Sequence, residues 1–134
     1  MAQRVLDTNR LIAIWNGRLQ PRSRLGRVNS VSTAVEAAQR WLRNFPNDAI
    51  ITPVRLEMLG GVLNRDHLIW TEAFLNEFDL MDDGKVLLED WREAERLARR
   101  VPSIFRPRGA LDCLIRAICL RLHAELYTDD TGMP

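Results

Sequence analysis

The chain has 134 residues, of which 46% are hydrophobic and 28% charged, and its formal net charge is +1. This length and balance predict one folded domain with a sizeable core and exclude an intrinsically disordered chain. No apolar run is long enough to span a membrane, and no basic-then-apolar segment marks a signal peptide, so we expect a cytoplasmic protein. Cys113 and Cys119 are six positions apart in one helical pattern, which argues against a disulfide or a metal pair.

Short apolar segments alternate with helical patterns along the whole chain. Strands are predicted at residues 4–6, 49–52, 78–81 and 125–128. Helices are predicted at residues 8–15, from about 33 to 43, and at 54–59, 67–78, 86–101 and 111–122. Because parallel strands need crossover connections, and helices usually supply them, this alternation favours a parallel sheet. We therefore expect an α/β fold in which helices flank a short central sheet.

Individual residues are expected to mark where several of the helices begin or end. Gly17 is expected to end the first helix, and the spacing of Thr33 and Glu36 predicts a capping box at the start of the second. Pro53 suits the first turn of the third helix, and Asn64 or Asp66 is expected to cap the fourth.

Other conspicuous residues are interpreted as structural. His67 and His123 are expected to be capping or surface groups at helix ends. Tryptophans at helical core spacing are expected in the core or in a dimer interface: Trp15, Trp41, Trp70 and Trp91. A run of acids is expected to be a solvated helix start: Asp79, Asp82, Asp83, Glu89 and Asp90.

Acidic residues from distant parts of the chain are placed to meet at one edge of the sheet. Asp7 ends the first strand, Glu57 lies one turn into the helix after the second strand, and Asp112 opens the last helix. Asp129 and Asp130 follow the last strand. In a parallel sheet the carboxyl ends of all strands point to the same edge, where ligands bind. Each acid also has a structural alternative, since it could cap a helix, interact with a helix dipole or lie in solvent.

A cluster of carboxylates needs a cation. Two unit charges about 4 Å apart repel by roughly 4 kcal/mol at an effective dielectric near 20. Oxygen ligands favour magnesium or manganese over zinc, and such ions activate water and stabilise charge on a phosphodiester. The acids therefore indicate a divalent-metal site.

Arginines are concentrated in two stretches without intervening acids. Their planar forks of donors suit phosphate, although solvated loops in an arginine-rich sequence are the alternative. The first stretch contains Arg10, Arg18, Arg22, Arg24 and Arg27. The second contains Arg96, Arg99, Arg100, Arg106 and Arg108.

Four short sequence segments are spread along nearly the whole chain, from residue 5 to residue 130. They are Val5-Leu6-Asp7-Thr8-Asn9, Ile51-Thr52-Pro53-Val54-Arg55-Leu56-Glu57, Asp112-Cys113-Leu114-Ile115 with Ala117, and Tyr127-Thr128-Asp129-Asp130. Together they resemble the signature blocks of PIN domains, and among these they look most like the VapC-type ribonuclease toxins of prokaryotic toxin–antitoxin pairs. The resemblance implies a PIN-like three-layer sandwich with a central parallel sheet.

The resemblance also implies an activity and its residues. The expected activity is an Mg²⁺- or Mn²⁺-dependent endoribonuclease that cuts a phosphodiester by water attack and leaves a 5′-phosphate. By motif position the catalytic acids would be Asp7, Glu57, Asp112 and Asp130, with Asp7, Asp112 and Asp130 as metal ligands. Asp130 is preferred to Asp129 because the family's fourth acid usually stands two residues after the threonine. The side chains expected to orient the carboxylates are Thr8, Asn9 and Thr128.

The implied partners are RNA, a small antitoxin whose chain reaches into the acidic pocket, and a second copy of the chain in a homodimer. The expected RNA backbone contacts are Arg10, Arg18, Arg22, Arg24, Arg27, Arg106 and Arg108. Arg116 stands where the family usually has a small residue, and we expect it to face solvent.

The alternative function is a catalytically inactive PIN-like scaffold that binds RNA or a protein. A phosphotransfer receiver domain is disfavoured because it needs a lysine after its last strand, and the only lysine is Lys85.

Overall fold

Four strands and six helices form the computed structural model, which describes residues 3–17, 28–100 and 109–128. In chain order they are β1 Arg4–Leu6, α1 Thr8–Trp15, α2 Val31–Asn44, β2 Asp48–Ile50, α3 Thr52–Gly60, α4 Arg65–Leu75, β3 Asp79–Leu80, α5 Leu88–Ala98, α6 Ala110–Arg121 and β4 Glu125–Tyr127. Among these residues no helix has both the length and the apolar character needed to cross a membrane.

The four strands form one parallel sheet in the order β3-β2-β1-β4. Strand β1 is central, and its Arg4 lies opposite Asp48 of β2 and Glu125 of β4. The chain moves one way across the sheet from β1 to β3 and returns to β4, so right-handed crossovers place α1–α4 on one face and α5–α6 on the other. The predicted α/β fold, with a short parallel sheet between helices, is confirmed.

The core lies on both faces of this sheet. Val5 and Leu6 of β1 and Ile51 after β2 are fully buried, because strands covered by helices on both faces are apolar along their length. Phe74 of α4 and Ile118 of α6 are also fully buried. This packing therefore fixes the sheet, and with it the positions of the carboxyl ends of the strands.

Helices α2 to α6 begin one or two residues from their predicted starts, and for two of them the structure shows the reason. Helix α2 begins at Val31, and its capping box joins Ser30 to Thr33, so the predicted pairing of Thr33 with Glu36 is wrong. Helix α3 begins at Thr52, which was predicted as the last residue of a strand. The cause is Asp82, whose carboxylate accepts hydrogen bonds from the Thr52 backbone N–H and hydroxyl, both at 2.8 Å.

Two members of the predicted solvated acidic run are buried, so that interpretation is wrong for them. Asp82 is 4% exposed and Asp90 is 1% exposed. Asp90 accepts hydrogen bonds from the Arg121 guanidinium at 2.7 and 3.0 Å and from the Leu87 N–H at 2.8 Å. Buried charges need such partners, and here they connect α5 to α6.

Candidate active site

Three of the predicted acids line one cavity of about 620 Å³. Asp7 enters it from the end of β1, Glu57 from α3 and Asp112 from the first turn of α6. The other lining residues are Thr8, Asn9, Ile12, Gly109, Ala110, Leu111 and Ile115. The cavity therefore lies at the carboxyl edge of the sheet, where acids from separate parts of the chain were expected to meet.

Asp7 is held by hydrogen bonds to both of its carboxylate oxygens. Oδ1 accepts the Thr8 backbone N–H at 2.8 Å, and Oδ2 accepts the Thr128 hydroxyl at 2.8 Å. The residue is 7% exposed, and its own N–H donates to the Tyr127 carbonyl at 3.0 Å. A carboxylate has about four lone-pair sites, so Asp7 can cap α1 and still offer a lone pair on each oxygen to a cation.

Thr128 and Asn9 extend this network. The Asn9 amide donates to the Thr128 hydroxyl oxygen at 3.4 Å, while the Thr128 hydroxyl proton goes to Asp7. Because the Thr128 hydroxyl oxygen accepts the Asn9 N–H, its own proton is directed towards Asp7. Both side chains were predicted to orient the carboxylates, and the structure brings them next to Asp7.

Glu57 is exposed and lies on the second turn of α3. The Thr8 hydroxyl donates to its Oε1 at 2.8 Å. Thr8 therefore contacts two of the acids, since its backbone N–H binds Asp7 and its side chain binds Glu57.

Arg116 lies one helical turn after Asp112 and contacts it. The Arg116 Nε donates to Asp112 Oδ2 at 3.4 Å, and the Arg116 side chain is only 17% exposed. The expectation that Arg116 faces solvent is wrong. Its Nη2 is buried and has no hydrogen-bond partner among the residues that the structure describes. The i, i+4 spacing of an acid and an arginine on one helix was the signal that could have predicted this contact.

The remaining predicted residues divide into two groups. The Arg10 guanidinium stacks on the Tyr127 ring, 4.1 Å from its centroid, beside the site. The others lie outside the described residues: Arg18, Arg22, Arg24, Arg27, Arg106, Arg108, Asp129 and Asp130.

Cys119 of α6 is a buried free thiol whose ionisation is strongly opposed. Burial raises the pKa of the Cys119 thiol to about 12, and the negative charge of Asp7 acts in the same direction. Only a thiolate is a nucleophile or a metal ligand, so at neutral pH this cysteine has a packing role.

The donor chemistry of the cavity fits a hard divalent cation. All three acids offer carboxylate oxygens, and none of the lining residues offers a sulfur or imidazole ligand. Within residues 3–17, 28–100 and 109–128, no three acidic, histidine or cysteine side chains are close enough together to hold an ion. Asp130, the remaining predicted ligand, is outside these ranges.

A comparison with protein-family models matches the PIN domain over residues 4–134. A comparison with curated proteins gives no match. PIN domains are generally nucleases that act on RNA and use divalent metal ions such as Mg²⁺. The match covers nearly the entire chain, including the strands and helices that bring Asp7, Glu57 and Asp112 to one cavity. The chain therefore belongs to the PIN domain family.

Proposed function

We propose that this protein is an endoribonuclease that uses Mg²⁺ or Mn²⁺ to hydrolyse RNA phosphodiesters at the cavity between β1, α3 and α6. The observation that carries the proposal is that Asp7, Glu57 and Asp112 line one cavity. These residues are far apart in sequence, and the negative charges around one cavity repel one another unless a cation or a charged substrate complex compensates them.

Each residue has a defined part in the proposed reaction. Asp7 and Asp112 hold the ion together with Asp130, and Glu57 completes the acidic site. The ion, when bound, activates water and stabilises negative charge on the phosphate. Thr128 and Thr8 keep the carboxylates oriented through their hydrogen bonds.

The test is cleavage of an end-labelled RNA by the purified protein, with Mg²⁺, with Mn²⁺ and with EDTA. We expect Asp7→Asn and Asp112→Asn to lower the cleavage rate by at least about 100-fold, since loss of a ligand removes several kcal/mol of charge stabilisation. Asp79→Asn is the matched control, because this exposed acid lies on β3, outside the cavity. An Asp7→Asn protein that cuts RNA at the wild-type rate would contradict the proposal.

A second candidate function is an inactive scaffold that binds RNA or a protein. Its support is Arg116, a cation of the chain itself that already contacts Asp112. Calorimetric titration with Mn²⁺ separates the two functions, because a nuclease needs a metal site that the scaffold lacks.

We also propose that the protein is a cytoplasmic toxin of a type II toxin–antitoxin pair and forms a homodimer. The support is the VapC-like order of its motifs, together with apolar side chains exposed on or near α3 and α4, where Leu56 is 61% and Leu63 87% exposed. A short neighbouring reading frame, whose product relieves growth arrest on co-expression, would support the toxin role. Light scattering of the purified protein tests the dimer.

A further inference from the structure

A second cavity of about 270 Å³ adjoins the acidic one. The two share Thr8, Ile12 and Glu57, and the Thr8–Glu57 hydrogen bond lies in their common wall. The remaining lining residues are Trp15, Asn16, Met58, Gly61, His67 and Thr71. The two cavities are therefore neighbours, and a ligand with one part at the acids can extend into the second cavity.

Aromatic rings form part of the wall of this second cavity. The Trp15 and His67 ring centroids are 5.5 Å apart, with the planes inclined at 52°. On another side, Trp15 meets the fully buried Phe74 edge-on, with 5.2 Å between the centroids. Because Phe74 belongs to the core, it fixes the Trp15 indole, and a fixed aromatic ring is a platform for stacking.

Polar groups accompany these rings. His67 Nδ1 accepts the Leu63 N–H at 3.3 Å, so in the neutral imidazole the proton is on Nε2, which becomes the donor of the ring. The Asn16 amide can both donate and accept, and Glu57 keeps Oε2 as an acceptor when Oε1 binds Thr8. These are the groups that read the edge of a nucleobase.

The size of the cavity limits its ligand. Its volume lies just below the range of about 300–1,000 Å³ that accommodates drug-sized molecules, so it suits one planar ring system. Single-stranded RNA offers such a ring when a base leaves the stack, and proteins commonly bind that base on aromatic side chains, histidine included.

We propose that this cavity binds one unstacked nucleobase of the RNA, that of a nucleotide next to the scissile phosphate. This inference rests on the proposed nuclease function, because the phosphate at the acids places the base beside Trp15 and His67. The cavity then gives the enzyme a preference for single-stranded RNA and for the base at one position. An aromatic side chain of a protein partner is the competing ligand.

The first experiment measures binding without cleavage. Nucleosides, which carry no phosphate for the neighbouring acids to repel, are titrated into the full-length protein in EDTA, and the Trp15 indole and His67 ring signals are followed by NMR. We expect both signals to shift, and we expect His67→Asn to weaken binding by at least about fivefold, as loss of a stacking partner does. His123→Asn is the matched control, since His123 has a positive φ of 53° that asparagine tolerates. Asn16→Ala is a second variant in case His67→Asn does not fold.

Each outcome is decisive. Shifts at Trp15 and His67 that His67→Asn or Asn16→Ala weakens support a base pocket, even if the protein cuts no RNA and the proposed function fails. Absence of these shifts, shifts that neither variant weakens, or shifts caused by N-acetylphenylalaninamide but not by nucleosides, would overturn it even if the protein is an active nuclease.

The second experiment uses a cleavable RNA in which each position in turn is made abasic. We expect the KM to rise at least about fivefold for one position next to the cut and to change little elsewhere. In the His67→Asn variant, the KM should no longer rise when that position is made abasic. Equal sensitivity at all positions in the wild type would overturn the proposal.

Discussion

Replacing Thr128 with valine tests how the acidic site is held together. Valine has nearly the same shape as threonine but lacks the hydroxyl that donates to Asp7 Oδ2 at 2.8 Å. Asp7 is 7% exposed, so little water can replace the missing donor. The same change removes the acceptor of the Asn9 amide, at 3.4 Å. The substitution therefore removes the hydrogen bond to Asp7 Oδ2 and replaces none of the predicted acids.

The magnitude follows from the kind of bond that is lost. Hydrogen bonds to charged groups contribute about 1.5–3 kcal/mol, which corresponds to roughly a 10- to 150-fold change in a rate or an affinity. Loss of a residue that orients a metal ligand typically costs about 10–100-fold in metal affinity or activity. We expect Thr128→Val to lower RNA cleavage and Mn²⁺ affinity within this range.

The assay pairs calorimetric Mn²⁺ titration with cleavage rates at saturating metal. Thr128→Ser is the matched variant, because it keeps the hydroxyl and removes only a methyl group, and it should retain most of the activity. If Thr128→Val binds Mn²⁺ and cuts RNA within twofold of the wild type, the Thr128–Asp7 hydrogen bond does not organise the site.

Three further predictions concern burial and charge. Asp90→Ala should leave the Arg121 guanidinium without its partner and lower stability by about 3–5 kcal/mol, seen as a fall in Tm of about 10–20 °C. Cys119, whose pKa burial raises to about 12, should remain a protonated thiol at pH 8 and resist iodoacetamide until the protein is unfolded. Arg116→Gln removes a positive charge next to Asp112, and Mn²⁺ binding measured by calorimetry should tighten by at least about fivefold.

Each of these has a control on the same protein. Glu93→Gln breaks an exposed ion pair on α5 and should leave Tm unchanged; an equal loss in both variants would contradict the role given to Asp90. For the thiol, labelling in urea confirms that the reagent works, and rapid labelling of native protein at pH 8 would refute the argument from burial. Arg43→Gln removes a charge at the end of α2, outside the cavity, so similar tightening there would mean that net charge is the cause.

Local signals predicted the part of the fold around Asp7 to the residue. Strand β1 at Arg4–Leu6 and helix α1 at Thr8–Trp15 have the predicted bounds. Here an apolar run, a capping acid and a helical pattern follow one another without a gap. The local sequence was therefore enough to predict where the strand ends and where the helix begins. At α2 the same reasoning missed the start, because Ser30 and Thr33 are both good capping residues and only the structure shows that they cap together.

Individual side-chain pairings between distant segments could not be predicted from the sequence. Asp90 looked like a solvated helical acid because its partner, Arg121, is 31 positions away on another helix. Asp112 and Arg116 lie on one helix, yet the burial of Arg116 depends on what packs around α6. The placement of Asp7, Glu57 and Asp112 around one cavity depends on topology instead: parallel strands end at one edge of the sheet, and the helices that carry Glu57 and Asp112 begin near that edge.

That rule alone would also have added Asp82, which follows β3 at the same edge of the sheet. The structure gives the reason why it does not belong to the site. Its carboxylate accepts the Thr52 N–H and hydroxyl and the Gly84 N–H, and the residue is 4% exposed. An acid with these bonds is occupied in fixing the first turn of α3, and α3 in turn carries Glu57 to the cavity. Asp7 also accepts a hydrogen bond on each oxygen and caps a helix, so the number of donors alone does not separate the two acids. The difference is that Asp7 lines the cavity together with Glu57 and Asp112, whereas Asp82 does not.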